Sequence, residues 1–467
     1  MIRTKMLVTL GPSIHDYNLV KSVIREGVSG FRINFSHGEP RVWEELIKIV
    51  RDAAEELDRV VLTIGDIPGP QVRSGDYPEQ EIRFKSKVVL IPGDKAEEPG
   101  VIPIPVKKFF ETVDIGDLIL LDDGRLMLRV VEVNSEGVEA LALNDARILP
   151  RRKVVISGKE VNLPLLSESD VKYIQFSVMH GLTYIAVSYI RGPEDVDIVK
   201  DIISKHGGKQ RVIAKIETRS GVERLSEIVE VADAILVARG DLGLHFTLEK
   251  IPLLQKKIIR EAIRSGKPCI LATQLLESMV NSPRPSRSEV IDVMSAVNDY
   301  IDALLLTNET AIGKYPLESV KWLKKIIEVA EENSDERVLE DLRGELSYKT
   351  LKEKYALGLT LLAEKIHSKV LVYTKTGSIP RKISRVRPQI PVYVGTANKF
   401  LAESLALHYG INPYYLNHKK TLDYNEGVRL LYSYLRSTGE LGYGDIVAEA
   451  YGRRETEIHE IKIRQVL

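Results

Sequence analysis

Residues 5–38 read KMLVTLGPSIHDYNLVKSVIREGVSGFRINFSHG, and this stretch decides the fold. Met6–Leu10 is a short apolar run closed by Gly11-Pro12, the pattern of a buried strand. Tyr17–Glu26 carries Leu19, Val20, Val23 and Ile24 at helical spacing and stops at Gly27. Gly30–Phe35 reads as a second strand. Strand, helix and strand in such quick succession make a βαβ unit, which implies parallel strands covered by helices. The rhythm continues with a helix over Val42–Leu57, its apolar face built from Leu46, Ile47, Val50, Ala53, Ala54 and Leu57, and a strand at Val60–Ile64.

From about Ser74 to Ile156 the rhythm breaks. No convincing helix occurs there, only short β-rich runs separated by turns such as Pro92-Gly93-Asp94. This reads as a small all-β domain inserted into an α/β one. Strands then resume at Tyr184–Ser188, Val212–Ile216, Ala234–Val237, Cys269–Ala272 and Ala303–Leu306, with helices between them, including Gly221–Val231. Three strands before the insert and five after it predict a (β/α)8 barrel, the alternative being an open doubly wound sheet. Charged Glu328–Lys349 suits a linker helix, and a further α/β unit follows. The expected boundaries are 1–73 with 157–335 for the barrel, 74–156 for a β-barrel lid, and 345–467 for the C-terminal α/β domain.

A chain of 467 residues, at about 150 per domain, agrees with three domains. Lys+Arg and Asp+Glu are both 66, which excludes a dominant basic field and with it a nucleic-acid partner by default. Cys269 is the one cysteine, so intramolecular disulfides and cysteine-cluster metal sites are excluded and a reducing, cytoplasmic compartment is expected. No apolar run approaches the roughly 20 residues of a membrane span. The start of the chain shows no signal-peptide pattern.

Polar residues gather where such a barrel places its chemistry, at the C-terminal ends of the strands. Lys215 and Glu217 share one face of a strand, because side chains repeat every second residue. A buried ion pair would give the same spacing. Asp241 arrives one βα unit later, and two converging carboxylates suit a hard divalent ion such as Mg2+. Arg239-Gly240-Asp241-Leu242-Gly243 offers free amides at a strand-to-helix turn, a ready anion site or simply a tight turn. Arg32, Asn34 and Ser36 line one face of their strand, with His37 in the loop beyond. No Gly-x4-Gly-Lys-[Ser/Thr] pattern is present.

Taken together, Phe31–Gly38, Gly69–Arg73, Lys159–Pro164, Ile213–Glu217, Val237–Gly243, Ala272–Met279, Pro283–Glu289 and Glu309–Pro316 make the sequence resemble the pyruvate kinase family along nearly its whole length. The resemblance implies phosphoryl transfer from phosphoenolpyruvate to ADP, yielding pyruvate and ATP. It implies that Glu217 and Asp241 bind one Mg2+, with a second on the nucleotide. Lys215 and Arg32 would stabilise the migrating phosphoryl group. Amides at Gly240-Asp241 and the Thr273 hydroxyl would hold the substrate carboxylate, with Thr273 also on the enolate's protonation route. Thr9, Pro12, Asn34, His37, Arg73 and Lys159 would meet the nucleotide. Asn34, Ser36, Asp66 and the Ile67 carbonyl match a monovalent cation site.

The sequence departs from the family at Asp66-Ile67-Pro68-Gly69-Pro70-Gln71, where Asp-Thr-Lys-Gly-Pro-Glu is common. Family members with Glu at the last position need K+ and those with Lys do not. A neutral Gln71 therefore implies weak or absent K+ dependence. Thr307-Asn308-Glu309 replaces a usual Ser-Gly-Glu. Thr374-Lys375-Thr376-Gly377-Ser378 resembles the family's effector-phosphate loop, with a plain surface turn as the alternative, and Arg453-Arg454 could add charge. The family also implies a homotetramer. A Mg2+-dependent lyase acting on pyruvate or oxaloacetate and an inactive phosphometabolite sensor are the competing readings.

Overall fold

The computed structural model describes residues 2–418, 423–453 and 458–467. Eight parallel strands close a barrel: β1 Lys5–Thr9, β2 Val28–Asn34, β3 Leu62–Ile67, then, beyond the eight strands of an insert, β12 Tyr184–Val187, β13 Arg211–Ile216, β14 Ala234–Ala238, β15 Cys269–Ala272 and β16 Ala303–Leu306. The strands are apolar on both faces, as parallel strands covered by helices must be. Leu7, Ile64, Ile213, Leu236 and Ile270 fill the interior, while their neighbours Met6, Val8, Ile235 and Val237 pack outward under the helices. The open doubly wound alternative is thereby removed.

The insert places β4 Gln80–Ile82, β5 Lys87–Pro92, β6 Val101–Ile104, β7 Leu118–Leu121, β8 Leu126–Val133, β9 Val138–Ala142, β10 Ala146–Ile148 and β11 Val154–Ile156 around one core. They form a six-stranded mixed sheet and a two-stranded ribbon. The expectation of no helix here is corrected by Lys107–Thr112, a six-residue helix pinned by buried Phe109. It is too short for helical periodicity to show in the sequence. The expected single helix over Gly221–Val231 is two, Arg219–Glu223 and Leu225–Val231, broken at Arg224. The expected charged linker helix is also two segments, the end of Pro316–Glu332 and then Glu336–Glu345. β3 runs to Ile67, beyond the expected Ile64, because Asp66 and Ile67 pair with Ala186 and Val187 of β12.

The C-terminal unit is a five-stranded sheet in the order β19-β18-β17-β20-β21, from β17 Lys369–Tyr373, β18 Val392–Thr396, β19 Ile411–Tyr415, β20 Ile446–Arg453 and β21 Ile458–Gln465. It seals the barrel floor. Ala406 and Leu407 join the barrel's interior cluster. Buried Arg387 pairs with Asp302 at 2.6 Å, and Asp302 also accepts from the Cys269 and Tyr409 amides. No described helix is long and apolar enough to cross a membrane.

Candidate active site

At the opposite mouth of the barrel, strand ends assemble a compact charged cluster. Lys215 Nζ sits 2.6 Å from Ser188 Oγ, 3.3 Å from Asp66 Oδ1 and 3.0 Å from Glu217 Oε1. Arg32 Nε donates to Asp66 Oδ2 at 2.6 Å, and Arg32 Nη1 to Thr9 Oγ1 at 3.2 Å. Burial disfavours charge on Lys215, but Asp66, Glu217 and Asp241 outweigh it and hold the ammonium protonated. Burial likewise raises Asp66, and Lys215 and Arg32 more than offset it. Burial also raises Glu217, which Lys215 only partly counters. Glu217 Oε2 accepts from the Tyr189 amide at 2.9 Å, while Oε1 is buried with no aligned donor.

Asp241 lies in the short helix Arg239–His245, directly after β14. Its carboxylate is met by Lys153, a lid residue that the sequence reading missed. Burial raises Asp241, and the charges of Lys153 and Lys215 bring it down. Lys153 also stands 5.2 Å over the Tyr189 ring. Nothing in Arg151-Arg152-Lys153 distinguishes it from a solvated basic run. Only docking of the lid, through Leu120 and Val155 against Leu244, brings it to the barrel.

Thr273 and Gln274 follow β15 with φ of +69° and +54°, in the left-handed region that β-branched residues avoid. Arg239 holds this turn by donating Nε and Nη2 to the Thr273 carbonyl and Nη2 to the Gln274 carbonyl, and it is itself anchored on Asp292. Thr273 Oγ1 accepts from the Gly240 amide at 3.0 Å. Strain of this kind persists where surroundings over-determine it.

Other expected residues have partners of their own. Arg73 is exposed and donates to Gln71 Oε1 at 2.7 Å, and Gln71 donates to the Pro68 carbonyl. Lys159 is tied to Asp114 and Asp117 within the lid, at 2.5 and 2.7 Å, although it also lines the lid–barrel cleft. His37 is exposed and gives its carbonyl to the Trp43 indole. The Pro12 carbonyl lies 2.7 Å from His15 Nδ1. Asn34 Oδ1 accepts from the Ser36 amide, and the Ile67 carbonyl accepts from Ser188. Glu309 is buried and braces backbone amides of Leu276 and Thr307. Among the described residues no group of three His, Cys, Asp or Glu could hold a metal. In the C-terminal unit, Thr374 Oγ1 accepts from the Gly377 amide, Lys375 stacks over Tyr424, and Ser378 opens the helix Ser378–Arg385. Arg454 lies outside the described residues, and Arg453 is described as backbone of β20 alone.

Comparison with known proteins accounts for this arrangement. The family model for the pyruvate kinase barrel domain matches residues 1–320, and that for the pyruvate kinase alpha/beta domain matches 355–459. A pyruvate kinase of Aeropyrum pernix is 36% identical over 99% of this chain and 98% of its own length. One of Pyrobaculum aerophilum is 34% identical over 99% and 96%. The crystal structure of pyruvate kinase from Pyrobaculum aerophilum superposes with a TM-score of 0.87 at 32% identity, covering 99% of both chains. That of a pyruvate kinase from Cryptosporidium parvum gives 0.92 at 28%, covering 99% and 96%. A barrel, a lid and a C-terminal sheet in this order, with similarity over the whole length, leave no room for the lyase reading: the chain belongs to the pyruvate kinase family.

Proposed function

We propose that this chain transfers the phosphoryl group of phosphoenolpyruvate to ADP, yielding pyruvate and ATP. The observation that carries the reading is the convergence of Lys215, Arg32, Glu217, Asp241 and the Thr273–Gly240 turn at one barrel mouth. Phosphoryl transfer asks the protein for positioning and charge neutralisation more than for covalent chemistry. Lys215 and Arg32, half-buried and oriented by Asp66, would present two fixed cations to the phosphoryl oxygens. Amides of the Gly240-Asp241 turn and the Thr273 hydroxyl, whose oxygen accepts from the Gly240 amide, are proposed for the substrate carboxylate, and the same hydroxyl would relay the proton that converts the enolate to pyruvate. The docked lid keeps water from competing with ADP.

Glu217 and Asp241 are the residues that would hold Mg2+. The fit rests on the chemistry of the donor set: Glu217 is a buried carboxylate whose Oε1 meets only the Lys215 ammonium, and Asp241 is a second carboxylate close enough to raise the first. When bound, the ion supplies a hard Lewis acid that neutralises phosphoryl charge. Thr9, Pro12, Asn34, His37, Arg73 and Lys159 are proposed for the nucleotide, which brings its own Mg2+. Asn34, Ser36, Asp66 and Ile67 are proposed as a monovalent cation site of weak or absent K+ dependence. In support, neutral Gln71 is tied to Arg73 and Pro68 and places no carboxylate there.

The domain limits 1–73 with 157–335, 74–156 and 345–467, a homotetramer, a cytoplasmic location, and a phosphorylated effector on Thr374, Lys375, Thr376 and Ser378 complete the proposal. The test is pyruvate formation from phosphoenolpyruvate, ADP and Mg2+, with K+ or a tetraalkylammonium salt. Activity in both salts is expected. Steep activation by K+ would overturn the reading of Gln71. Silence in both, with and without phosphorylated metabolites, would favour the inactive sensor. Light scattering that returned a monomer mass would overturn the tetramer.

A further inference from the structure

Lid cations such as Lys87, Arg147 and Arg151 pair inside the lid, with Glu139, Glu79 and Asp76. Lys153 crosses to the barrel instead, where its ammonium donates to Asp241 Oδ1 and stands 5.2 Å over the Tyr189 ring. Its main chain is fixed at the base of the lid. It bridges to Arg73, and its carbonyl accepts from the Asp122 amide at 3.0 Å. The side chain is only 12% exposed. Lys153 therefore rides with the lid rather than moving on its own. Further contacts hold the lid down without touching the charged cluster. Leu120 and Val155 pack on Leu244, and Glu160, just past the lid, accepts from the amide and hydroxyl of Ser220 at 2.8 and 2.9 Å.

At the barrel mouth three carboxylates, Asp66, Glu217 and Asp241, face three cations, Arg32, Lys215 and Lys153. The cluster is balanced only while Lys153 is part of it. Asp241 is the most open of the three carboxylates, its side chain 28% exposed against 3% for Asp66 and 1% for Glu217. An ion arriving from solvent therefore meets Asp241 first, on a carboxylate that Lys153 already holds. Adding a divalent ion with Lys153 still docked leaves two positive charges in excess. The mouth is largely removed from water, where unmatched charge is costly. Departure of Lys153 removes one of the two.

We propose that Lys153 is a built-in counter-ion whose hold on Asp241 sets lid docking against divalent-ion entry, so that the ion alone releases the lid and an anionic substrate draws it back. The inference rests on the reading of Glu217 and Asp241 as the ion's ligands, and goes beyond it by coupling that site to a domain motion. Such coupling is reciprocal: lid docking and ion binding weaken each other by the same factor. Phosphoenolpyruvate, with its carboxylate and phosphate, more than offsets the ion's charge, and Lys153 returns to a mouth that again lacks a cation. The device orders the events: ion first, substrate second, closure over the substrate last.

The test uses the full-length chain and needs no turnover. Spin labels on Glu136→Cys of the lid and Ser169→Cys of the barrel, both exposed positions, report the lid's distance, while buried Cys269 stays unlabelled. Mg2+ is titrated by calorimetry in parallel, on the parent and on Lys153→Met, Lys153→Arg and Asp241→Asn variants. In the parent, Mg2+ alone lengthens the label distance, and Mg2+ with phosphoenolpyruvate shortens it again. Lys153→Met starts from the longer distance, does not respond to Mg2+ alone, and binds Mg2+ about tenfold more tightly, the size of an ordinary coupling between two sites. Lys153→Arg keeps the charge and behaves as the parent in both readouts. Mg2+ binding that leaves the parent's label distance unchanged, or equal Mg2+ affinity in the parent and Lys153→Met, would overturn the latch and leave Asp241 as a ligand. Mg2+ affinity unmoved by Asp241→Asn would instead overturn the reading of the ion site, and the latch with it.

Discussion

Lys215 holds together the barrel mouth, because Asp66 and Glu217 are both buried against it. Lys215→Met leaves those carboxylates without a shared cation, at a cost of about 3–5 kcal/mol. On the kinase reading it also lowers kcat by about a thousandfold or more. Steady-state kinetics alongside thermal melts separate the two effects, and a folded variant with near-parental kcat would remove Lys215 from the chemistry. Lys153 makes a different prediction. Its ammonium meets Asp241, so it competes there with a divalent cation and also latches the lid. Lys153→Gln is expected to lower the Mg2+ concentration giving half-maximal activity and to speed proteolytic cleavage within the lid. Unchanged values for both would mean that the contact does neither. Lys215 and Glu217 were legible from a two-residue spacing. Lys153 was not, because no local pattern marks a lysine whose partner lies in another domain.

Among the elements, the helix Leu351–Lys365 shows how a local rule acquires a long-range consequence. Thr350 and Glu353 form a capping box, with Glu353 accepting from the Lys349 and Thr350 amides. Glu353 also faces Lys382 and Arg385 of the helix Ser378–Arg385. Hydrogen bonds from Thr350, then the neighbouring cations, hold its carboxyl down to about 2 from an ordinary 4.5. A carboxyl depressed in the folded state stabilises it above the unfolded pKa, and that stabilisation fades as pH falls from 4.5 toward about 2. Glu353→Gln should therefore melt below the parent near neutral pH, with the gap closing across that acid window. A gap constant with pH would assign the effect to packing alone. Strand and helix order was readable throughout the barrel. Boundaries were less so: β3 extends through Asp66 because β12 offers it a partner, and the break at Arg224 leaves the apolar pattern uninterrupted.

For the whole molecule, the decisive feature is the sealed barrel floor. Leu407 belongs by sequence to the C-terminal unit and by packing to the barrel interior. Leu407→Ala is expected to cost about 2–5 kcal/mol, the range for a buried leucine that leaves a cavity. The Arg387–Asp302 pair locks the same junction. Arg387→Met strands a buried carboxylate at a cost of about 3–5 kcal/mol, and adding Asp302→Leu should recover only part of it, since the Cys269 and Tyr409 amides then lose their acceptor. Calorimetric scans of the single and double variants check this. Full recovery would mean that those amides find other partners.

The sequence by itself determined the alternation of strands and helices, the count of eight, the position of the insert and the polar strand ends. All of these are set by local periodicity and by the rule that such barrels carry chemistry at one mouth. Only the tertiary structure decided which charges meet. Lys153 on Asp241, Arg239 on the strained Thr273 turn, Leu407 in the barrel floor and Arg381 beside Arg211 all join residues from different units or distant turns. Side-chain charge and shape are local properties. Their energies depend on burial and on the partner opposite, and both arise only when the chain has packed.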